Sequence, residues 1–469
     1  MKTYKHGMDM TSGPLFRKII AFSLPLVLTG LLQCFYNAAD LIVVGHFKGH
    51  IALAAVGNTG ALNNLVVGVF MGLSVGAGVC AAQYIGAKEY DRVRKVIHTS
   101  VLTALILGVA VGAVGFIFAR DLLELMDTPA SVIEHSTLYI RIIFCCVPAS
   151  LLYNYCASIL RSSGDTKRPL VFLTISGLVN VLLNLLLVAG LGFGVEGVAI
   201  ATVASQVLSA VLVVVHMVRS DSYLKINLRE LRISKKYLSR MMMIGIPSGI
   251  QGSLFSLSNV VIQSSINSFD DIIMAGNSAA GNIEGFVWIA MNSITQASIT
   301  FVGQNVGAKK YDRIGKVLLN CMGVVTAVWA VLAGSVFLFR HPLLTLYAGD
   351  NEAVIAAGLV RMAVIVPTYF ICGNMDVVCG ALRGMGKSTT TMVLTLIGVC
   401  GVRILWIQTL FKMFRSPMTV YISYPVSWTI ALGANLLVFV FIYRKTKRQG
   451  YIPENEFQFL TKLLPSKKK

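Results

Sequence analysis

The sequence predicts an all-α membrane protein, with twelve transmembrane helices in two parallel six-helix repeats forming two lobes around a central cleft. Composition, the recurrence of long apolar stretches and internal repetition each point that way. Of 469 residues, 55% are hydrophobic and only 13% charged, and the mean hydropathy is +0.73. A soluble domain carries about 25% charged residues, so this chain lacks the charge to clothe a water-facing surface. The nine cysteines lie scattered in apolar runs without a C-x-x-C pair. That pattern speaks against a disulfide scaffold or zinc ribbon and suits buried thiols in a reducing compartment.

Apolar stretches fall at 18–45, 52–84, 95–119, 132–160, 169–190, 195–218, 240–266, 274–305, 316–339, 352–382, 388–411 and 419–443. About twenty helical residues cross the hydrocarbon layer, and these stretches are too long for barrel strands. Helices are then the only structure that satisfies the backbone in lipid. The first stretch reads as a span and not as a cleaved signal, because Pro25, Gln33 and Asp40 interrupt it and no A-x-A site follows.

Of the 40 Lys and Arg residues, 32 fall in the terminal segments and loops on one side, 5 on the other and 3 within spans. The positive-inside rule therefore puts both termini in the cytoplasm of a plasma (inner) membrane protein. The expected domains are an N-terminal lobe at 1–218, a cytoplasmic linker at 219–239, a C-terminal lobe at 240–443 and a basic tail at 444–469. The Lys467-Lys468-Lys469 end reads as part of the same topology signal, with no nucleic-acid partner.

The repeats can be read directly. Gln83-Tyr84-Ile85-Gly86-Ala87-Lys88-Glu89-Tyr90-Asp91-Arg92 returns as Gln304-Asn305-Val306-Gly307-Ala308-Lys309-Lys310-Tyr311-Asp312-Arg313, displaced by 221. Leu160-Arg161-Ser162-Ser163-Gly164 returns as Leu382-Arg383-Gly384-Met385-Gly386, displaced by 222. Pro25 in span one has its counterpart in Pro247 of span seven. Six is even, so the halves enter the membrane the same way, as parallel repeats of the kind that serve alternating access. No cluster of catalytic or metal-ligating groups stands at either face, so the chain does not read as an enzyme and no cofactor is expected. His46 and His50 sit four apart but lack a third ligand, so no metal site is expected there.

These repeated elements, with Tyr36-Asn37-Ala38-Ala39-Asp40-Leu41-Ile42-Val43-Val44-Gly45, Gly197-Val198-Ala199-Ile200-Ala201-Thr202 and Gly303-Gln304-Asn305, resemble the multidrug and toxic compound extrusion (MATE) family. The resemblance covers nearly the whole chain in order. It implies a monomeric antiporter that exports bulky, mostly cationic or amphipathic organic compounds in exchange for a cation. The superfamily also holds lipid and lipid-linked oligosaccharide flippases, usually with fourteen spans and a more cationic cleft, and that class stays open. So does a sensor that binds ligand without moving it.

Asp40 is the sharpest single residue, because a carboxylate inside a span is costly unless paired, hydrated or protonated. At 1.5 Å per residue, Asp40 and Asn184 each lie about 9 Å from the outer end of their spans, and Thr202 about 12 Å. Asn180 is one turn from Asn184 on the same face. Three helices of the first half thus bring oxygen ligands to one level. A displacement of 222 maps Asp40, Asn180 and Asn184 onto Ile262, Val402 and Trp406, which offer no comparable ligands. Members of the branch with an N-lobe aspartate place Asp, Asn, Asp and Thr around the ion; the match is Asp40, Asn180 and Thr202, with Asn184 in place of the second Asp. One carboxylate favours H+ as coupling ion, with Na+ the alternative. Tyr36 and Asn37, in the motif that contains Asp40, belong to the same expected ion-coupling set. A fixed ion pair of Asp40 with Arg141 is the competing reading.

The sodium-type branch of the family instead carries a Glu in span seven and an Asp in span ten, where Phe255 and Cys372 stand here. Glu284, Arg361 and Arg403 read as a buried ion-pair network or, through Glu284, a substrate site; Asp376 reads as a gate or a partner of Arg383. Expected substrate-wall residues are Phe35, Tyr36, Met71, Phe255, Glu284, Trp288, Met291 and Tyr369, since methionine and aromatic side chains suit a polyspecific surface. Pro25, Gly30 and Pro247 read as hinges. Arg161 and Arg383 read as structural, and Asp91 and Asp312 as caps of cytoplasmic helices.

Overall fold

The computed structural model describes residues 7–126, 128–349 and 351–450, with the side chains of residues 50, 53, 58, 61, 64 and 65 left aside. The described residues contain no strand. In chain order the helices are α1 (Leu15–Asn58), α2 (Gly60–Gly86), α3 (Tyr90–Ile117), α4 (Ala119–Leu125), α5 (Ala130–Cys145), α6 (Val147–Ser162) and α7 (Lys167–Asn184). A π-helical turn at Leu185–Gly190 leads to α8 (Val195–Arg219). The second half holds α9 (Lys235–Ile266), α10 (Asp271–Gly307), α11 (Tyr311–Leu338), α12 (Arg340–Ala348), α13 (Glu352–Gly384) and α14 (Ser388–Thr395). A π-helical stretch at Leu396–Gly401 continues into α15 (Val402–Gln408), α16 (Leu410–Met413) and α17 (Pro417–Gln449).

Among the described residues, ten segments are long and apolar enough to cross a membrane, and α5 with α6 forms an eleventh, bent by 47°. The bend falls at Cys146, where Pro148 in the first turn of α6 interrupts the ladder. The twelfth is α9, 32 residues long and interrupted by Pro247. Its serines, Gln251, Asn259 and Gln263 keep it less apolar than the others. The short helices α4 and α12 occupy matching places after α3 and α11, so each half has one such helix besides its six spans. The first span runs further than its apolar stretch, since α1 stays helical to Gly49, whose φ of 76° breaks it.

The chain divides into two compact units, residues 7–9 with Leu24–Gly245, and Met10–Ser23 with residues 246–450. The boundaries fall inside α1 and α9, directly before Pro25 and Pro247. Within the first unit, the start of α9 packs tightly on α2. A Cβ on Gly76 would come within 2.1 Å of the Met241 carbonyl oxygen, and one on Gly245 within 2.8 Å of that of Leu73. Small residues let membrane helices approach this closely. Within the second unit, the start of α1 is held by Phe22 edge-on to Phe301, with ring centroids 5.8 Å apart. The Met10 backbone also bonds to the side chains of Gln304 and Asn305.

The repeated motifs turn out to be helix ends. After α6, the Gly164 N–H bonds to Arg161 O and the Asp165 N–H to Leu160 O; after α13, Gly386 and Lys387 make the same pair with Arg383 and Leu382. This is the Schellman arrangement, and Gly164 and Gly386 carry its positive φ of 91° and 84°. The Gly-Ala-Lys turns end α2 and α10 in the same way, with Lys88 and Lys309 in the left-handed conformation that usually goes to glycine. Asp91 and Asp312 are not caps. Because α3 and α11 begin at Tyr90 and Tyr311, the cap positions fall on Glu89 and Lys310, and both aspartates lie in the first helical turn. Asp312 pairs there with Lys447 at 2.7 Å.

Candidate functional site

Three spans of the first unit converge on Asp40, which is 8% exposed. Asn184 Nδ2 donates to Asp40 Oδ1, and Thr202 Oγ1 donates to Asp40 Oδ2 at 3.3 Å. Asn180 closes the group, donating to Thr202 Oγ1 at 3.5 Å and accepting from Asn184 Nδ2 at 3.4 Å. The depth count that placed these oxygens at one level therefore corresponds to a contact. Asn184 ends α7 where the backbone widens into the π-helical turn Leu185–Gly190; such turns recur at functional sites. Asn184 Oδ1 is buried without a hydrogen-bond partner among the described residues. The cluster thus offers a carboxylate, two amide oxygens and a hydroxyl around one point, a set that can hold a proton on Asp40 or coordinate a hard cation.

Tyr36 does not bond to Asp40. Its hydroxyl donates to the Thr174 carbonyl at 3.4 Å, and its ring packs against Gly177, where a Cβ would come within 1.9 Å of it. Tyr36 therefore fixes α1 against α7 one turn below the acid. Asn37 is exposed, and no hydrogen bond joins it to the cluster among the described residues. Arg141 makes no ion pair with Asp40 among the described residues; its guanidinium lies 5.7 Å from the Phe116 ring. Sequence reasoning also left aside Tyr139, which is buried on α5. Only its place two residues before Arg141 hinted at it. The side chain of His50 lies outside the described residues.

The equivalent level of the second unit is apolar. Ile262 packs with Ile266, Phe411, Val420 and Tyr421, and Trp406 spends its indole N–H on the Thr419 carbonyl. Elsewhere in this unit Glu284, 3% exposed, takes a forked pair of bonds from Arg361, the shortest 2.7 Å. Arg361 also donates to Asn277 Oδ1 at 2.6 Å. Asp376 makes no ion pair with Arg383 among the described residues; Arg383 donates instead to Gln251 Oε1 at 2.7 Å. Arg161, at the end of α6, and Arg383 thus belong to the helix-end architecture. Among the expected wall residues, Phe35, Met71 and Trp288 are exposed. Phe255 and Tyr369 are half-buried against Cys372 and Trp428. Met291 is not on a surface: it is buried with its sulfur against Gly373, where a Cβ would meet it at 2.9 Å.

A duplicated six-span helical unit, with the Asp40 cluster in its first copy and an apolar counterpart around Ile262 in its second, is the frame of a polytopic membrane protein. The family model MatE matches the chain twice, at residues 25–186 and 247–407, and the chain belongs to the MATE family. The two matches start 222 residues apart, the displacement read from the motifs. The chain is 27% identical over 438 residues to the "Probable multidrug resistance protein YoeA" of Bacillus subtilis (strain 168), covering 92% of this chain and 94% of that one. It is 21% identical over 381 residues to the "Multidrug export protein MepA" of Staphylococcus aureus (strain NCTC 8325 / PS 47), covering 81% and 84%. In fold it matches a MOP superfamily transporter from Pyrococcus furiosus, with a TM-score of 0.89 at 21% identity over 95% of this chain and all of that one.

Proposed function

We propose that the protein is a proton-coupled antiporter that exports bulky amphipathic organic compounds across the plasma membrane by alternating access, as a monomer with both termini in the cytoplasm and without a bound cofactor. The observation that carries this reading is the Asp40 cluster. A single buried carboxylate, hydrogen-bonded by Asn184 and Thr202 and with no basic partner among the described residues, is neutral when protonated and charged when not. Its two states therefore differ by a full charge inside an apolar unit, which is what an ion gradient needs to act on. The names of the curated relatives support the cargo class, and the lack of a second carboxylate supports H+ over Na+.

The scheme runs in one direction. A proton arriving from outside neutralises Asp40, the first unit changes shape and cargo is released outward; the proton then leaves to the cytoplasm. The test is dye efflux from proteoliposomes under a proton gradient and, separately, a sodium gradient. Asp40→Asn is expected to abolish pH-driven efflux while leaving thermal unfolding close to that of the wild type. Full pH-driven efflux in that variant would overturn the proposal.

A further inference from the structure

Two guanidinium groups of the second unit, those of Arg361 and Arg403, lie against one ring, and among the described residues only one of the two has an ion-pair partner. Arg361 has Glu284. Arg403, 1% exposed, has no carboxylate within ion-pair distance among the described residues. Its bonds go to neutral oxygens, from Nε to Ser427 Oγ at 3.1 Å and from Nη1 to Asn259 Oδ1 at 3.1 Å. It lies over the Tyr424 ring at 4.2 Å, and Arg361 approaches the same ring at 5.7 Å. Two cations thus share one aromatic ring while a single carboxylate answers them. Burying a charge without a countercharge is strongly unfavourable, and two neutral acceptors with one ring offset it only in part.

A second observation points the same way. The Trp428 ring lies 5.9 Å from the Arg403 guanidinium. Trp428 is 3% exposed, and its indole N–H is buried without a hydrogen-bond acceptor among the described residues. A cation and an unused N–H donor side by side call for an acceptor that carries negative charge.

Asn259, which holds Arg403 Nη1, is exposed on α9. With Gly252, Ser256, Gln263 and Asn267 it forms a narrow polar stripe along that helix at steps of three and four residues. Ser256 and Asn267 are exposed as well. Asn259 is thus the partner through which the Arg403 guanidinium, itself 1% exposed, meets the exposed face of α9.

We infer that Arg403 and Trp428 form a subsite for an anionic group, the carboxylate of an amphipathic or zwitterionic cargo molecule. This rests on the transport reading above and sharpens its cargo class, since Glu284 is already taken by Arg361 and no carboxylate among the described residues pairs with Arg403. The subsite selects molecules that carry a carboxylate beside an apolar body.

The experiment uses the purified full-length chain and two probes, a rhodamine dye with a free carboxylate and its methyl ester, with binding read by fluorescence anisotropy. Arg403→Gln is expected to weaken the carboxylate dye by about tenfold or more and to leave the ester within about twofold. Trp428→Phe keeps the ring and removes the N–H, and it should weaken the carboxylate dye by about threefold. Arg403→Lys should fall between wild type and Gln. Equal effects on both dyes, no effect on either, or no binding of the carboxylate dye by the wild type would each overturn the inference. If Arg403→Gln does not fold, Trp428→Phe decides: unchanged discrimination between the dyes overturns the proposal. If chloride stabilises the wild type and not Arg403→Gln while dye discrimination stays the same, the site takes inorganic anions only, and the cargo assignment falls. Binding is read apart from flux. Loss of pH-driven efflux as the sole failure would therefore count against the transport reading and leave the subsite standing.

Discussion

Asn184 gives the Asp40 cluster its character. Its amide donates to Asp40, while its oxygen has no partner among the described residues. Replacing it by Asp removes the donor and sets a second carboxylate against the first. Two like charges at this range cannot both stay ionised without a cation. Asn184→Asp should therefore gain sodium dependence, with dye efflux in proteoliposomes driven by a sodium gradient that leaves the wild type unaffected. A variant that stays blind to sodium would mean that the ion does not enter this oxygen cage. Asp40 was legible in the sequence because an acid in an apolar span is rare, and its partners because a rise of 1.5 Å per residue fixes depth. The charge imbalance around Arg403 was not. Its neighbours Asn259, Tyr424 and Trp428 come from α9 and α17, and only packing shows that Glu284 goes to Arg361 alone.

Elements carry these residues through a few close contacts and turn geometries. Tyr36 lies on Gly177 so tightly that any side chain there must displace it. Gly177→Val should cost about 1–3 kcal/mol of stability by overpacking. It should also impair pH-driven efflux, because α1 would no longer sit against α7 at the level of Asp40; thermal unfolding and efflux measured together check both. The helix-end motifs give the opposite sign. Lys88 and Lys309 hold φ values of 60° and 57°, which disfavour a residue with a Cβ. Lys88→Gly should raise stability by about 1 kcal/mol, with Lys88→Ala near neutral, as read by the unfolding midpoint. The repeat exposed these motifs in the sequence, but not their geometry: residue types alone put the caps on Asp91 and Asp312, two residues too late. The broken span at Cys146 was hidden for a similar reason. Pro148 and Pro367 look alike in sequence, yet only the former splits its helix, and α13 runs on through Pro367.

At the scale of the molecule, duplication has kept the frame and divided the chemistry. Both halves keep their spans, their short extra helix and their helix-end turns, but the acid cluster of the first has an apolar counterpart around Ile262 in the second. The boundary between the compact units falls directly before Pro25 in α1 and Pro247 in α9. Each proline removes one rung of its helix's hydrogen-bond ladder and leaves the carbonyl four residues earlier without its helical N–H. Both helices are therefore weakest where they pass from one unit to the other. Only α1 carries a titrating group beyond that point, with Asp40 fifteen residues on, about 22 Å along the axis. If the charge on Asp40 works by bending α1, the two prolines must differ in effect. Pro25→Ala should remove the pH dependence of helix-one accessibility, measured by labelling single cysteines placed along α1 at two pH values, and should lower pH-driven efflux with it. Pro247→Ala should leave the pH dependence of α1 intact, whatever it does to the overall rate. Equal loss from both substitutions would show that the prolines serve a symmetric rocking motion and that Asp40 does not act through its own helix.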